Sequence, residues 1–158
     1  MSGQDRIEQR MSELGIRLPD VRQPVGIYVP AVTSGSLVFT SGTGCRIAAD
    51  RFLYLGRVGS DLTIQQAQDA ARTAAINVLA ILKEHLGQLD RIERIVRLTG
   101  FVNSAHDFHE QPVVVNGASR LLEEVFQEKG RHARSAIGTS NLPFNMPVEI
   151  ELIVEIGT

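Results

Sequence analysis

An α+β fold, one mixed sheet carrying two helices on one face, is what this sequence predicts, and three observations predict it. Residues 63–87 carry small apolar side chains at helical spacing, and residues 111–130 repeat that spacing with larger ones. The last run alternates Val148, Ile150, Leu152, Val154 and Ile156 with Glu149, Glu151, Ile153 and Glu155, the period of a strand. Two amphipathic helices among strand-like runs close a core as one sheet under one helical layer. At 158 residues the chain is a single domain, with no internal repeat, low-complexity segment or linker.

Taken in order, the elements begin with a short helix over Gln4 to Leu14, which places Ile7, Met11 and Leu14 on one face and stops at Gly15. Pro19 and Pro24 hold an extended connector. From Ile27 to Thr40 the chain reads as strand, turn and strand, with Ser34-Gly35-Ser36 as the turn. SGTG at 41–44 is a break that needs backbone freedom, and a further short strand is expected around Arg51 to Leu55. Thr63 and Gln66 make a capping box. Ala67, Ala71, Ala74, Val78 and Leu82 follow on one face, with Gly87 as the C-cap. That small stripe suits a helix lying close on a sheet. Residues 92 to 102 form a strand, with Val96, Leu98 and Val102 on one side and Ile95 and Phe101 on the other, a pattern expected of burial on both sides. A second long helix starts near Gln111, with Pro112 in its first turn and Val114, Ala118, Leu121 and Val125 inward, and ends at Gly130. Arg134 to Ser140 is a short strand. The predicted order after the first helix is β-β-β-α-β-α-β-β.

Composition narrows the functional classes. Hydrophobic residues make up 43% and charged residues 22%, the balance of a soluble globular domain. No apolar run approaches the roughly 20 residues of a membrane span, and the charged N-terminus is no secretory signal. The single cysteine, Cys45, fits a reducing compartment, so the expectation is a cytoplasmic protein. Sixteen basic residues stand against 18 acidic ones, without the basic excess or aromatic interleaving of a nucleic-acid binder. Arg91, Arg94 and Arg97 interleave with Asp90 and Glu93, as on a solvated strand edge or a subunit contact. A small-molecule partner is the expectation, and nucleic acid and membrane are not.

Familiar signatures are missing. GTGCRI lacks the spacing of a dinucleotide fingerprint, there is no P-loop, and no Cys/His spacing binds zinc. His106 and His109 in HDFH read as unliganded surface histidines, and Cys45 as a small structural residue. The segment RHARSAIGTSNLPFNMPVEIE is richer. It sets Arg134 at a strand start and Glu149 at the first alternating position of the last strand, fifteen residues on. If the two strands form a hairpin, the pair is either a cross-strand ion pair or a site, and residue types alone do not choose.

A-R-S-A-I-G-T-S-N-L-P at 133–143 followed by V-E-I at 148–150 resembles the signature of the YjgF/RidA family. L-V-F-T-S-G at 37–42, Tyr28 in a G-x-Y segment, and Asn116 early in the second helix match in order, so that the similarity spans about 24 to 156. Residues 1–23 then stand as an N-terminal helix and connector before a single domain at 24–158. The extension points to the longer-chain branch named for endoribonucleases. The resemblance implies a chorismate-mutase-like fold, a homotrimer with clefts between subunits, and cofactor-free hydrolysis of enamine or imine intermediates such as 2-aminoacrylate to 2-keto acids and ammonia. Arg134 would grip the carboxylate, for which the planar guanidinium fork is suited, and Glu149 would act on the attacking water as general base. Tyr28, Ser41, Gly42, Asn116 and Ala136 would complete the substrate site, with no metal. His132, Ala136 and Thr43 depart from the family's Pro or Ala, Cys and Gln, and bear on substrate identity. Two other functions compete: a regulatory trimer that binds small carboxylates without turnover, and a ribonuclease, which neutral charge and the lack of a paired His/Lys constellation disfavour.

Overall fold

The computed structural model describes residues 5–158; the predicted helix start at Gln4 lies outside them. Helix α1 spans Arg6–Glu13, and Asp5 caps it by accepting from the backbone N–H groups of Ile7 and Glu8. Strands β1 (Ala31–Ser34) and β2 (Leu37–Thr40) form the expected hairpin about Gly35, whose φ of 61° suits a residue without a side chain. The predicted strand start at Ile27 is not observed. Residues 25–30 run as bends, with Ile27 and Val25 exposed, because Pro30 has no N–H for a ladder; Ser41 instead ties the segment down through Val29 O and Pro30 O. A small hairpin follows from β3 (Arg46–Ala48) and β4 (Arg51–Phe52); β3 was not predicted.

Helix α2 (Ile64–Leu86) carries the capping box at Thr63 and Gln66 and ends at Gly87. Its 23 residues extend about 35 Å. Strand β5 (Ile92–Asn103) leads to α3 (Gln111–Phe126), after which a single 3-10 turn carries the chain to Gly130. Strands β6 (Ala133–Thr139) and β7 (Val148–Ile156) complete the chain. The five-stranded sheet runs β1-β2-β7-β5-β6, antiparallel except for β5 and β6, which are parallel and joined through α3. Among the described residues no helix is long and apolar enough to cross a membrane.

The core lies between the sheet and the two long helices. Val148, Ile150, Leu152, Val154 and Ile156 of β7 all point into it, as their alternation predicts. On β5 the predicted faces are partly wrong, and the cause is visible. Ile92, Ile95, Leu98, Gly100 and Val102 pair with those five inward residues in turn, across irregularities between Ile92 and Arg94 and between Ile95 and Arg97. Each inserts one residue and resets the alternation, so Ile95 joins Leu98 inside while Val96 leaves that face. The two helices approach closely where a Cβ on Gly117 of α3 would lie 2.1 Å from the Gln68 carbonyl oxygen of α2.

Candidate functional site

Two clusters carry the polar side chains of interest, and the topology keeps them apart. The first is built on β6 and α3. Arg134 pairs with Leu98, whose side chain is fully buried, so it stands on the helical side of the sheet at its β6 edge. Its Nη1 donates to Asn116 Oδ1 at 2.8 Å and to Ser119 Oγ at 3.2 Å, and its Nη2 donates to Pro112 O at 3.3 Å. All three acceptors are on α3. A guanidinium has five N–H donors. The Nε–H and one Nη2–H therefore keep no protein partner among the described residues, which leaves donors for a carboxylate. Arg134 makes no ion pair among the described residues. Burial pulls its value below that of an ordinary guanidinium, yet the group stays charged at neutral pH.

Behind Arg134 the hydrogen bonds continue. Ser119 Oγ lies 2.9 Å from His132 Nε2, and His132 Nδ1 lies 2.6 Å from Gly130 O. An Nδ1–H donated to that carbonyl leaves Nε2 to accept the Ser119 hydroxyl proton, so the Ser119 oxygen lone pairs face Arg134. Ala136 follows Arg134 on the same face and packs against the core.

The second cluster gathers at the end of β2 and the start of β7. Thr43 and Ile150 exchange two backbone hydrogen bonds of 2.9 Å, which draws the Ser41-Gly42-Thr43 segment against β7. A Cβ on Gly42 would lie 2.0 Å from Glu149 Oε1. Only glycine leaves that carboxylate where it is. Glu149 is half-buried and pairs with Phe101 on the sheet face away from the helices. Desolvation raises its carboxyl above the ordinary range, with the neighbouring Glu151 charge adding to the effect. Tyr28, half-exposed, and Ser41 line one cavity together with Gly42.

The predicted hairpin relation of Arg134 and Glu149 is thus overturned. Strand β6 pairs in parallel with β5, and β5 lies between it and β7. Arg134 and Glu149 stand on opposite sheet faces of one chain, with no cross-strand ion pair between them. The reason is that the 140–147 connection, with a 3-10 turn at Pro143–Asn145, carries the chain past β5 rather than folding back on β6. Asn116 joins Arg134, and Gly42 joins Glu149; Tyr28 and Ser41 line a cavity with Gly42 that Glu149 does not line. Ser119 was missed, although its place three residues after Asn116 puts both on one helical face. Of the other residues weighed, His106 and His109 are exposed in a turn and loop. Cys45 is buried, its thiol raised by desolvation and directed at Tyr54 O.

A family model described as "YjgF/chorismate mutase-like, putative endoribonuclease" matches residues 8–156. Protein TCP17 of Trypanosoma cruzi is 40% identical, over 96% of this chain and 95% of its own. A 2-iminobutanoate/2-iminopropanoate deaminase of Salmonella typhimurium is 33% identical over 82% and 87%. Among solved structures, protein Atu1372 of Agrobacterium tumefaciens superposes with a TM-score of 0.89 at 45% identity, covering 97% of this chain and 94% of that one. E. coli TdcF with bound serine superposes at 0.59 with 26% identity, over 89% and 94%.

Proposed function

The chain belongs to the YjgF/chorismate mutase-like family, and from that membership we propose that it hydrolyses 2-imino acids to 2-keto acids and ammonia in a cleft built from two copies of itself. The observation that carries this reading is Arg134: a fixed, half-buried guanidinium whose Nε–H and one Nη2–H have no partner among the described residues. Its donors suit a carboxylate, and the deaminase relative acts on small 2-imino acids by its name. Because Arg134 and Glu149 lie on opposite faces of one sheet, a site that uses both takes one from each of two subunits. The homotrimer expected of this family supplies such a junction three times over.

In this reading Arg134 of one copy holds the substrate carboxylate and so fixes the imine carbon. Glu149 of the next copy removes a proton from water as its oxygen bonds to that carbon. The C=N electron pair moves to nitrogen, which takes up the proton that Glu149 took from water. Glu149 then takes the hydroxyl proton of the tetrahedral adduct and passes it to the amine, which leaves as ammonia as the C=O bond of the 2-keto acid forms. An enamine such as 2-aminoacrylate enters after tautomerising to the imine. Neither step calls on a metal or cofactor.

The test is pyruvate release from 2-aminoacrylate generated in situ. The wild type accelerates it over buffer, and Arg134→Ala raises KM about 10- to 100-fold through loss of a charge-assisted contact. No acceleration by the wild type would leave a carboxylate-binding protein without turnover.

A further inference from the structure

We infer that a second carboxylate-binding site, anchored by Arg46, occupies the cavity between β3, α2 and the Phe144 turn, and that its ligand is a monocarboxylate with an aromatic or bulky apolar body. The cavity encloses about 310 Å³ and is walled largely by apolar side chains, among them Ile47, Ile81, Phe52 and Phe144. Arg46 lies over the last two. Its guanidinium carbon is 4.5 Å from the Phe52 ring centre and 5.5 Å from that of Phe144, and the rings themselves stack 5.7 Å apart. One guanidinium N–H goes to Ala49 O. The others have no protein partner among the described residues, and Arg46 forms no ion pair there.

The setting holds Arg46 in place. Asn77 of α2 donates its side-chain amide to Gly44 O and Arg46 O, both at 2.9 Å, and so pins the β3 backbone. On the opposite wall Phe144 and Asn145 have φ of 58° and 59°, a left-handed pair without glycine. That turn is held from beneath by buried Asn103, whose amide donates to Asn145 Oδ1 and Met146 O. A strained turn secured in this way keeps Phe144 over Arg46, although the ring is 55% exposed. The cavity's other charged residues, Asp20 and Arg22 on the connector, offset one another, which leaves Arg46 to set the sign. One positive charge in an apolar, aromatic-walled cavity selects an anion carried on an apolar body.

This cavity is lined in part by Tyr28, Ser41 and Gly42, which the family resemblance assigns to the substrate site, but its anchor is Arg46 and not Arg134, so substitution of each arginine separates its ligand from the proposed substrate. The experiment is calorimetric titration of phenylacetate into the full chain, beside the neutral isostere 2-phenylethanol, with the variants Arg46→Met, Phe144→Ala and Arg134→Met. We expect saturable binding of phenylacetate that Arg134→Met leaves unchanged and that Arg46→Met weakens at least tenfold. Phe144→Ala should weaken it too, and 2-phenylethanol should bind at least tenfold less well than phenylacetate to the wild type. Binding lost in Arg134→Met and kept in Arg46→Met would place the ligand at Arg134 and overturn the inference. Equal binding of the neutral isostere, or no saturable binding, would overturn it as well. Because only binding is read, failure of the deaminase assay leaves this result standing.

Discussion

A Cβ on Gly42 would occupy the space of Glu149 Oε1, 2.0 Å away, and what yields there is the end of a flexible side chain. Gly42→Ala should therefore fold with a Tm near that of the wild type while displacing the carboxylate, and lower kcat more than it raises KM; a kcat equal to the wild type's would show that Glu149 does no chemistry there. Glu149 itself titrates above its ordinary value of 4.5 because burial, and then Glu151, disfavour its charge. A carboxyl raised in the folded state costs stability only when ionised. Glu149→Gln should thus match the wild type in Tm below pH 4.5 and become more stable than it as pH rises through the raised value, a difference read by thermal unfolding from about pH 4 to about pH 8. Deaminase activity should show the mirror image, rising with pH over that window as the base ionises and falling about 10²- to 10⁴-fold in the Gln variant. At this scale the sequence shows Arg134 and Glu149 through a motif. It shows neither the free donors of the guanidinium nor the acceptors that orient it, because those depend on how α3 lies against β6.

Helix α3 supplies all three acceptors of Arg134, so its seating on α2 governs the anchor. That seating depends on Gly117, where a methyl group would meet the Gln68 carbonyl at 2.1 Å and backbone would have to move. Gly117→Ala should cost about 1–3 kcal/mol by overpacking and should raise KM along with it; urea unfolding and steady-state kinetics on one preparation would show both. A stability unchanged from wild type would mean that the helices separate freely there. The helices themselves were legible because capping box, alanine stripe and C-cap glycine are local signals. The faces of β5 were not. Two inserted residues, near Glu93 and Val96, reset its alternation, and nothing in the strand's own composition marks a bulge whose cause is the register of β7. Strand β3 escaped notice for a similar reason: three residues beside a glycine-rich turn become a strand only through β4 and Asn77.

Over the whole molecule, the parallel pairing of β6 with β5 decides how a site can be made. Sequence proximity suggested a hairpin for residues 134–149, and a short connection with Pro143 favours that reading locally. The winning constraint is global: β5 and β7 both present continuous apolar faces to the helices and pair along their lengths, which leaves the shorter, more exposed β6 to take the edge. Its consequence is that Arg134 and Glu149 face away from each other in one chain, so the proposed site needs two copies to use both. Complementation tests this most directly. Arg134→Ala and Glu149→Gln are each purified, assayed alone, then mixed, dissociated and reassembled together. If each site draws Arg134 from one copy and Glu149 from another, the two variants, each nearly inactive at substrate well below the wild-type KM, should regain about a quarter of the wild-type rate there on random mixing. A reassembled mixture no more active than the separate variants would contradict a site shared between copies.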